Sequence, residues 1–289
     1  MELSDLLPQR FSTKRLPWEE LRLMPIGDIQ FDGLPNSACD IDRLQRHLTW
    51  GVRNDVVFFG MGDYTDFASP SNRAHLKSAG LYDTTQRIIE QAADTGLERL
   101  KEILEPTRGR WLGLLEGHHF FEFEDGTTTD MQLAKFLGAP FLGTCAMLRL
   151  TFGRQAKGKG INCVIWAHHG VGSGVTVAAP LNKLERVAAH FDADIYLMAH
   201  HHKAVSAMLD RLYVTSKGKP ALVDRTKALV ATGSFLRGYM QGSQAGPGRP
   251  RGGYVEQRML MPVALGGPLL TITPRHHEFY EDLDIKVSV

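Results

Sequence analysis

Seven of the chain's twelve histidines fall in three tight clusters: Gly117-His118-His119, Ala167-His168-His169-Gly170 and Ala199-His200-His201-His202. Each comes shortly after an apolar run, at residues 111–115, 161–166 and 195–198. Two further runs end in acid-bearing turns, Gly27-Asp28-Ile29-Gln30 and Gly62-Asp63-Tyr64-Thr65-Asp66. Neutral imidazole is the commonest protein ligand for transition metals, and carboxylates join it at mixed sites. A single Gly-Asp after a strand reads as a turn with an aspartate cap. Five such stations in series, each at a strand end, read as one metal centre assembled from distant strand tips.

The elements that must carry these tips are legible as hydrophobic patterning. Residues 23–29 and 55–60 are apolar runs, the second continuous enough to be a strand covered on both faces. Residues 40–51 carry Ile41, Leu44 and Leu48 at helical spacing. Residues 81–104 predict a long amphipathic helix stopped by Pro106, and residues 128–137 and 180–191 predict two more. Residues 145–152 alternate and predict a strand. From residue 203 onward strands are expected at 203–214, 221–233 and 269–275. The chain thus predicts βαβ-like units followed by a β-rich segment, which suggests an α/β fold of two packed mixed sheets with helices outside. Polar residues gathered at the C-terminal ends of strands lie where open α/β sheets build their sites.

Composition excludes several alternatives. Lysine plus arginine is 33 against 32 for aspartate plus glutamate, a formal charge of +1 over 289 residues. That balance argues against extensive duplex binding. Cys39, Cys145 and Cys163 are odd in number, widely spaced and without a CxxC pair, so neither a disulfide framework nor a cysteine zinc site is expected. Residues 1–22 lack a signal-peptide core and no run is long enough for a membrane span, so the expectation is a soluble, cytoplasmic protein.

In order and spacing the stations resemble the calcineurin-like metallophosphoesterases. That family's pattern is Asp-x-His, Gly-Asp, Gly-Asn-His, a lone histidine, then Gly-His-x-His, each after a strand. The resemblance covers about the first two hundred residues and departs at three positions. Gln30 stands in place of histidine, His118 in place of asparagine, and Ala199 in place of glycine. It implies a single domain over residues 1–289, a four-layer αββα sandwich with residues 1–22 as an extension and 203–289 as a β-rich second-sheet portion. It also implies two divalent metal ions (Mn, Zn or Fe). Asp28, Gln30, Asp63 and His202 would surround one; Asp63, His118, His168 and His200 would surround the other, with Asp63 bridging. A hydroxide held between the metals would attack phosphorus, and His119 would face the leaving group. Gln30 offers only an amide to the first site, so one tight and one weaker metal are expected.

The implied activity is hydrolysis of phosphate esters, with phosphodiesters of nucleotides or nucleic acid as the leading substrates. A phosphomonoesterase and a non-catalytic metal-binding scaffold of the same fold are the alternatives. Gln30 and His118 favour the scaffold; retention of Asp28, Asp63, His119, His200 and His202 favours the enzyme. His168 is preferred over its neighbour His169 because it directly ends the apolar run. His201 is expected to point away from its neighbours. Asp66 reads either as a residue orienting a ligand or as a turn cap. The glycine-rich residues 170–174 lack the Lys-Ser/Thr ending of a P-loop and read as a loop letting substrate approach. Residues 242–253 read as a flexible loop or as a lid carrying Arg249 and Arg251. His47, His75, His190, His276 and His277 read as ordinary packing or surface residues.

Overall fold

The computed structural model describes residues 11–34, 37–153, 160–214, 220, 222–239, 254–277 and 280–289. Residues 242–253, with Arg249 and Arg251, lie outside them, so the lid expectation is not addressed.

Among the described residues, twelve strands divide evenly between two mixed sheets. One sheet runs β1 (Phe11–Pro17), β6 (Cys145–Gly153), β7 (Gly160–His168), β8 (Ile195–Met198), β10 (Leu222–Thr232), β9 (Ala204–Val214). The other runs β12 (Glu281–Ser288), β11 (Leu269–His276), β2 (Leu21–Ile26), β3 (Val57–Gly60), β4 (Trp111–Leu115), β5 (Phe141–Gly143). Within the second sheet β2 to β5 are parallel, and within the first β7, β8 and β10 are parallel. Parallel neighbours end on the same edge, which is what gathers the stations.

The described strands after residue 203 are shared between the two sheets. β9 and β10 extend the first sheet, and β11 and β12 extend the second. The N-terminal segment also contributes, because β1 pairs in parallel with β6 along its whole length.

The sheets face each other across an apolar layer that includes Leu23, Phe59, Leu112, Leu148, Ile165, Leu197, Val230 and Ile272. The outer face of the second sheet is covered by α1 (Ile41–Arg53), α3 (Asp83–Leu104) and α4 (Thr129–Leu137), through Leu44, Leu48, Leu97, Leu100 and Leu133. The outer face of the first sheet is covered by α5 (Ala179–Ala188) through Leu184 and Ala188. The result is the four-layer order helix, sheet, sheet, helix, since every sheet face and amphipathic stripe must be buried somewhere.

Local signals explain the helix ends. Asp40 caps α1 by accepting from Arg43 N, and Thr128 caps α4 by accepting from Met131 N. Gly138 ends α4 in the left-handed conformation, φ 69°. Two short helices complete the chain, α2 (Pro70–Ser78) and α6 (Tyr254–Gln257). No described helix is long and apolar enough to cross a membrane.

Leu148, 2% exposed, lies in the layer between the sheets. Leu148→Ala is expected to lower unfolding free energy by about 2–5 kcal/mol in urea denaturation. A loss below about 1 kcal/mol would contradict a close-packed layer there.

Candidate metal centre

The strand tips are bent inward by backbone held where L-residues seldom go. Among the described residues, eight non-glycine positions have positive φ, and five are station residues: Asp28 (48°), Gln30 (51°), Asp63 (53°), His200 (68°) and His202 (55°). Each such residue costs on the order of 1–3 kcal/mol, so the surroundings must over-determine it. They do so by backbone pairing between stations. Asp28 N donates to Gly62 O (3.0 Å), Gln30 N to Asp63 O (2.9 Å) and Phe31 N to Tyr64 O (3.1 Å). The carbonyl of Asp28 accepts from Phe235 N and Ser234 Oγ, both at 3.0 Å.

The Gly117 turn then closes on Asp63. Asp63 Oδ1 accepts from the amides of His118 and His119, the latter at 3.0 Å. A Cβ at residue 117 would stand 2.0 Å from Asp63 N and 2.1 Å from Asp63 Oδ1, so only glycine allows this approach. The fully buried Asp130, on α4, accepts from Gly117 N at 3.0 Å. Burial pushes the Asp130 carboxyl up to about 7, against the pull of that amide.

Ligand atoms of Asp63, His118, His169 and His200 lie within 4.8 Å of one another. His169 reaches Asp63 Oδ2 at 3.3 Å; His118 Nδ1 and His200 Nδ1 are 3.3 Å apart. Backbone carbonyls orient two of the rings. His169 Nδ1 donates to Met61 O at 2.7 Å, leaving Nε2 to face the cluster. His200 Nε2 donates to Gly172 O at 2.9 Å, leaving Nδ1 to face it. Partners of this kind fix the tautomer of a metal-ligating histidine.

The choice of His168 over His169 is corrected. Along β7, Cys163, Ile165 and Ala167 face the layer between the sheets, while Val164 and Trp166 face α5. Alternation carries His168 outward, where it stacks on Trp166 and its Nδ1 accepts from Gly170 N at 2.7 Å. His169 continues the inward series and is 1% exposed. His201 is not in this cluster; its Nε2 meets Lys183 Nζ at 3.1 Å.

Asp28, Gln30 and His202 form a neighbouring group. His202 Nε2 is 3.4 Å from Asp28 Oδ1 and 3.1 Å from Gln30 Nε2, and Asp28 Oδ2 accepts from His200 N at 2.8 Å. His119 lies beside both groups, its Nδ1 2.7 Å from Asp66 Oδ1. Asp66 therefore pairs with a histidine and is not merely a turn cap.

The donor set fits a cation at the Asp63–His118–His169–His200 group. Two buried ligand atoms, Asp28 Oδ1 and His169 Nε2, have no hydrogen-bond partner among the described residues, although each lies within ion-pair distance of an oppositely charged or chargeable group. A buried polar atom left so is costly, and a cation satisfies both. Electrostatics agree. Burial alone would raise the Asp63 carboxyl, but His169 and the His118 and His119 side hold it well below the usual carboxylate range. Burial and the neighbouring His169 push His118 down to about 4, which keeps it neutral and able to ligate. Burial opposes charge on His169 too, but Asp63 outweighs it and lifts His169 to about 9.

No family model and no curated protein matches the sequence. Solved structures give only distant likenesses. A single mutant of Vps29 from Entamoeba histolytica is 12% identical with a TM-score of 0.37, covering 93% of this chain and 100% of that one. A predicted phosphoesterase from Streptococcus pneumoniae is 11% identical with a TM-score of 0.32, covering 92% and 98%. Vacuolar Protein Sorting 29 from Cryptosporidium parvum is 11% identical with a TM-score of 0.34, covering 93% and 98%. Overlaps this loose carry no weight for activity. The strand order and converging stations stand on their own: the fold is α/β, with two six-stranded mixed sheets between helices. At its edge lies a candidate metal site of one aspartate and three histidines.

His169→Ala is expected to weaken zinc binding by at least about tenfold in calorimetric titration, and His168→Ala to leave it near wild type. The reverse result would restore His168 as the inward residue. Below about pH 9 the metal-free His169 holds a proton that an entering cation must displace. Zinc affinity should therefore rise with pH toward about 9, with proton release at pH 7 visible as buffer-dependent binding enthalpy. A buffer-independent enthalpy would contradict the His169–Asp63 pairing.

Proposed function

We propose that this chain is a metal-dependent phosphoesterase acting on phosphodiesters of the nucleotide or nucleic-acid class. The observation that carries the reading is the His119–Asp66 pair standing beside the Asp63–His118–His169–His200 cluster. Hydrolysis of a phosphate ester needs charge neutralisation at phosphorus and a proton for the departing oxygen. The first requirement is served by cations held at the two groups, which when bound polarise phosphoryl oxygens and lower the pKa of water. Asp63, His118, His169 and His200 would hold one; Asp28, Gln30 and His202, with Asp63, would hold the other.

The second requirement falls to His119. Burial works against its charge, but the hydrogen bond from Nδ1 to Asp66, with Asp63 nearby, raises its pKa above the ordinary imidazole value. With Nδ1 held by Asp66, the protonated imidazole presents Nε2–H, which donates to the leaving alkoxide. An ester of an alkyl alcohol releases an alkoxide, a poor leaving group, and gains most from such a donor. Asp66 fixes the ring so that Nε2, not Nδ1, faces the substrate. The two groups are unequal: the cluster with three imidazoles favours zinc or iron, and the group with the Gln30 amide suits manganese and binds more weakly.

Turnover of bis-p-nitrophenyl phosphate and p-nitrophenyl phosphate with added zinc, iron or manganese tests the reading. Metal-dependent hydrolysis of the diester is expected, and Asp63→Asn should abolish it. Tight metal binding with turnover of neither ester would instead make the chain a metal-binding scaffold. His119→Ala is expected to slow esters with alkyl leaving groups by about 10²–10⁴, and nitrophenyl esters far less. Equal losses on both would remove the proton-donor role.

A further inference from the structure

We propose that Arg73, on α2, is a positioning residue that clamps the peptide joining His118 to His119, and with it the ligand His118 and the proton donor His119. The inference rests on the phosphoesterase reading for its catalytic half and on geometry alone for its metal-binding half.

Arg73 Nη1 donates to three carbonyls: Ala68 at 2.6 Å, His118 at 2.7 Å and Phe120 at 3.0 Å. Its guanidinium lies 3.8 Å over the Phe120 ring centroid. Ala68 follows the Asp63–Asp66 station, whereas His118 and Phe120 belong to the next one. Arg73 therefore ties two stations together from above. The tie is reinforced where Phe67 N donates to His119 O at 3.2 Å.

The peptide between His118 and His119 is pinned at both ends. Its carbonyl accepts from Arg73, and its N–H, that of His119, donates to Asp63 Oδ1 at 3.0 Å. With both ends held, the peptide plane cannot rotate. The rotation it would otherwise undergo swings His118 out of the cluster on one side and His119 away from Asp66 on the other. Removing Arg73 frees the carbonyl end only, so the turn stays tethered by Asp63 and Asp130 but loses its orientation.

The same bonds explain why α2 is there. It has no buried residue, so no apolar stripe holds it to the body. Arg73 and the Lys77–Glu122 ion pair (2.8 Å) tie it to the loop after β4. Residues that orient ligands from outside typically contribute about 10–100-fold to metal affinity or rate.

The test uses the full-length chain. Arg73→Ala is titrated with zinc after metal removal, and its fold is checked by circular dichroism and melting. Zinc affinity is expected to fall about 10–100-fold with the fold retained. In the metal-loaded protein, turnover of an alkyl-leaving-group diester should fall about tenfold more than that of bis-p-nitrophenyl phosphate, because His119 loses its aim. Unchanged zinc affinity, or equal loss on the two esters, overturns the proposal and leaves the phosphoesterase reading intact. A wild-type protein that binds zinc but hydrolyses neither ester overturns that reading, and the zinc affinity of Arg73→Ala still decides the clamp. If Arg73→Ala does not fold, Phe120→Leu removes the ring beneath the guanidinium; a smaller loss in the same direction is expected, and wild-type affinity there overturns the proposal.

Discussion

Asp63 is a carboxylate taken almost wholly out of water at the edge where the two sheets meet. Isolated there it would cost several kcal/mol, and it is tolerated because one oxygen receives two backbone amides and the other faces an imidazole. The amides come from the loop after β4, in its own sheet. The imidazole, His169, directly follows β7 of the opposite sheet. One buried charge thus closes the site across the sandwich, and the neighbouring features can be understood as conditions for it. Gly117 must be glycine so that the turn can come close. Gly62, with φ 92°, must be glycine because a Cβ there would lie 2.6 Å from His169 Nδ1.

Strain and pairing balance at this edge. Five ligand-bearing residues sit in left-handed backbone, which favours compact polar side chains with local partners. Asp28 and Gln30 pair through their backbones with the Gly62–Asp63 turn, and His200 N donates to the Asp28 carboxylate. Such pairing orders the site before any ligand arrives, which is what preorganisation requires. Outside the cluster, Met61 O and Gly172 O select the ring nitrogens that face inward, and Asp66 selects the one that does not.

Much of this was legible beforehand. The five stations, their order and their placement after strands follow from residue types and apolar runs, because a buried parallel strand must be apolar and its tip need not be. Asp63, His118 and His200 lie in one cluster with His169, and Asp28 Oδ2 accepts from His200 N beside it. The helices with strong stripes, α1, α3, α4 and α5, are also plain in the sequence. Elements without such a stripe were not. β1 is a largely polar edge strand, β5 has three residues, and α2 buries nothing. β12 carries a period-two signal in Leu283, Ile285 and Val287 that was readable but went unread.

The sequence by itself determined which residue types end which strands, since that depends only on local patterning. It left open which face of β7 is inward, because Val164 and Trp166 are as apolar as Ile165 and Ala167 when both faces are covered. Only packing of the second sheet on one side and α5 on the other decides that His169, not His168, meets Asp63. Only tertiary structure, likewise, brings Arg73 from a helix with no buried residue onto carbonyls 45 and 47 positions further along the chain. Those contacts depend on distance in space, and local patterning carries no record of them.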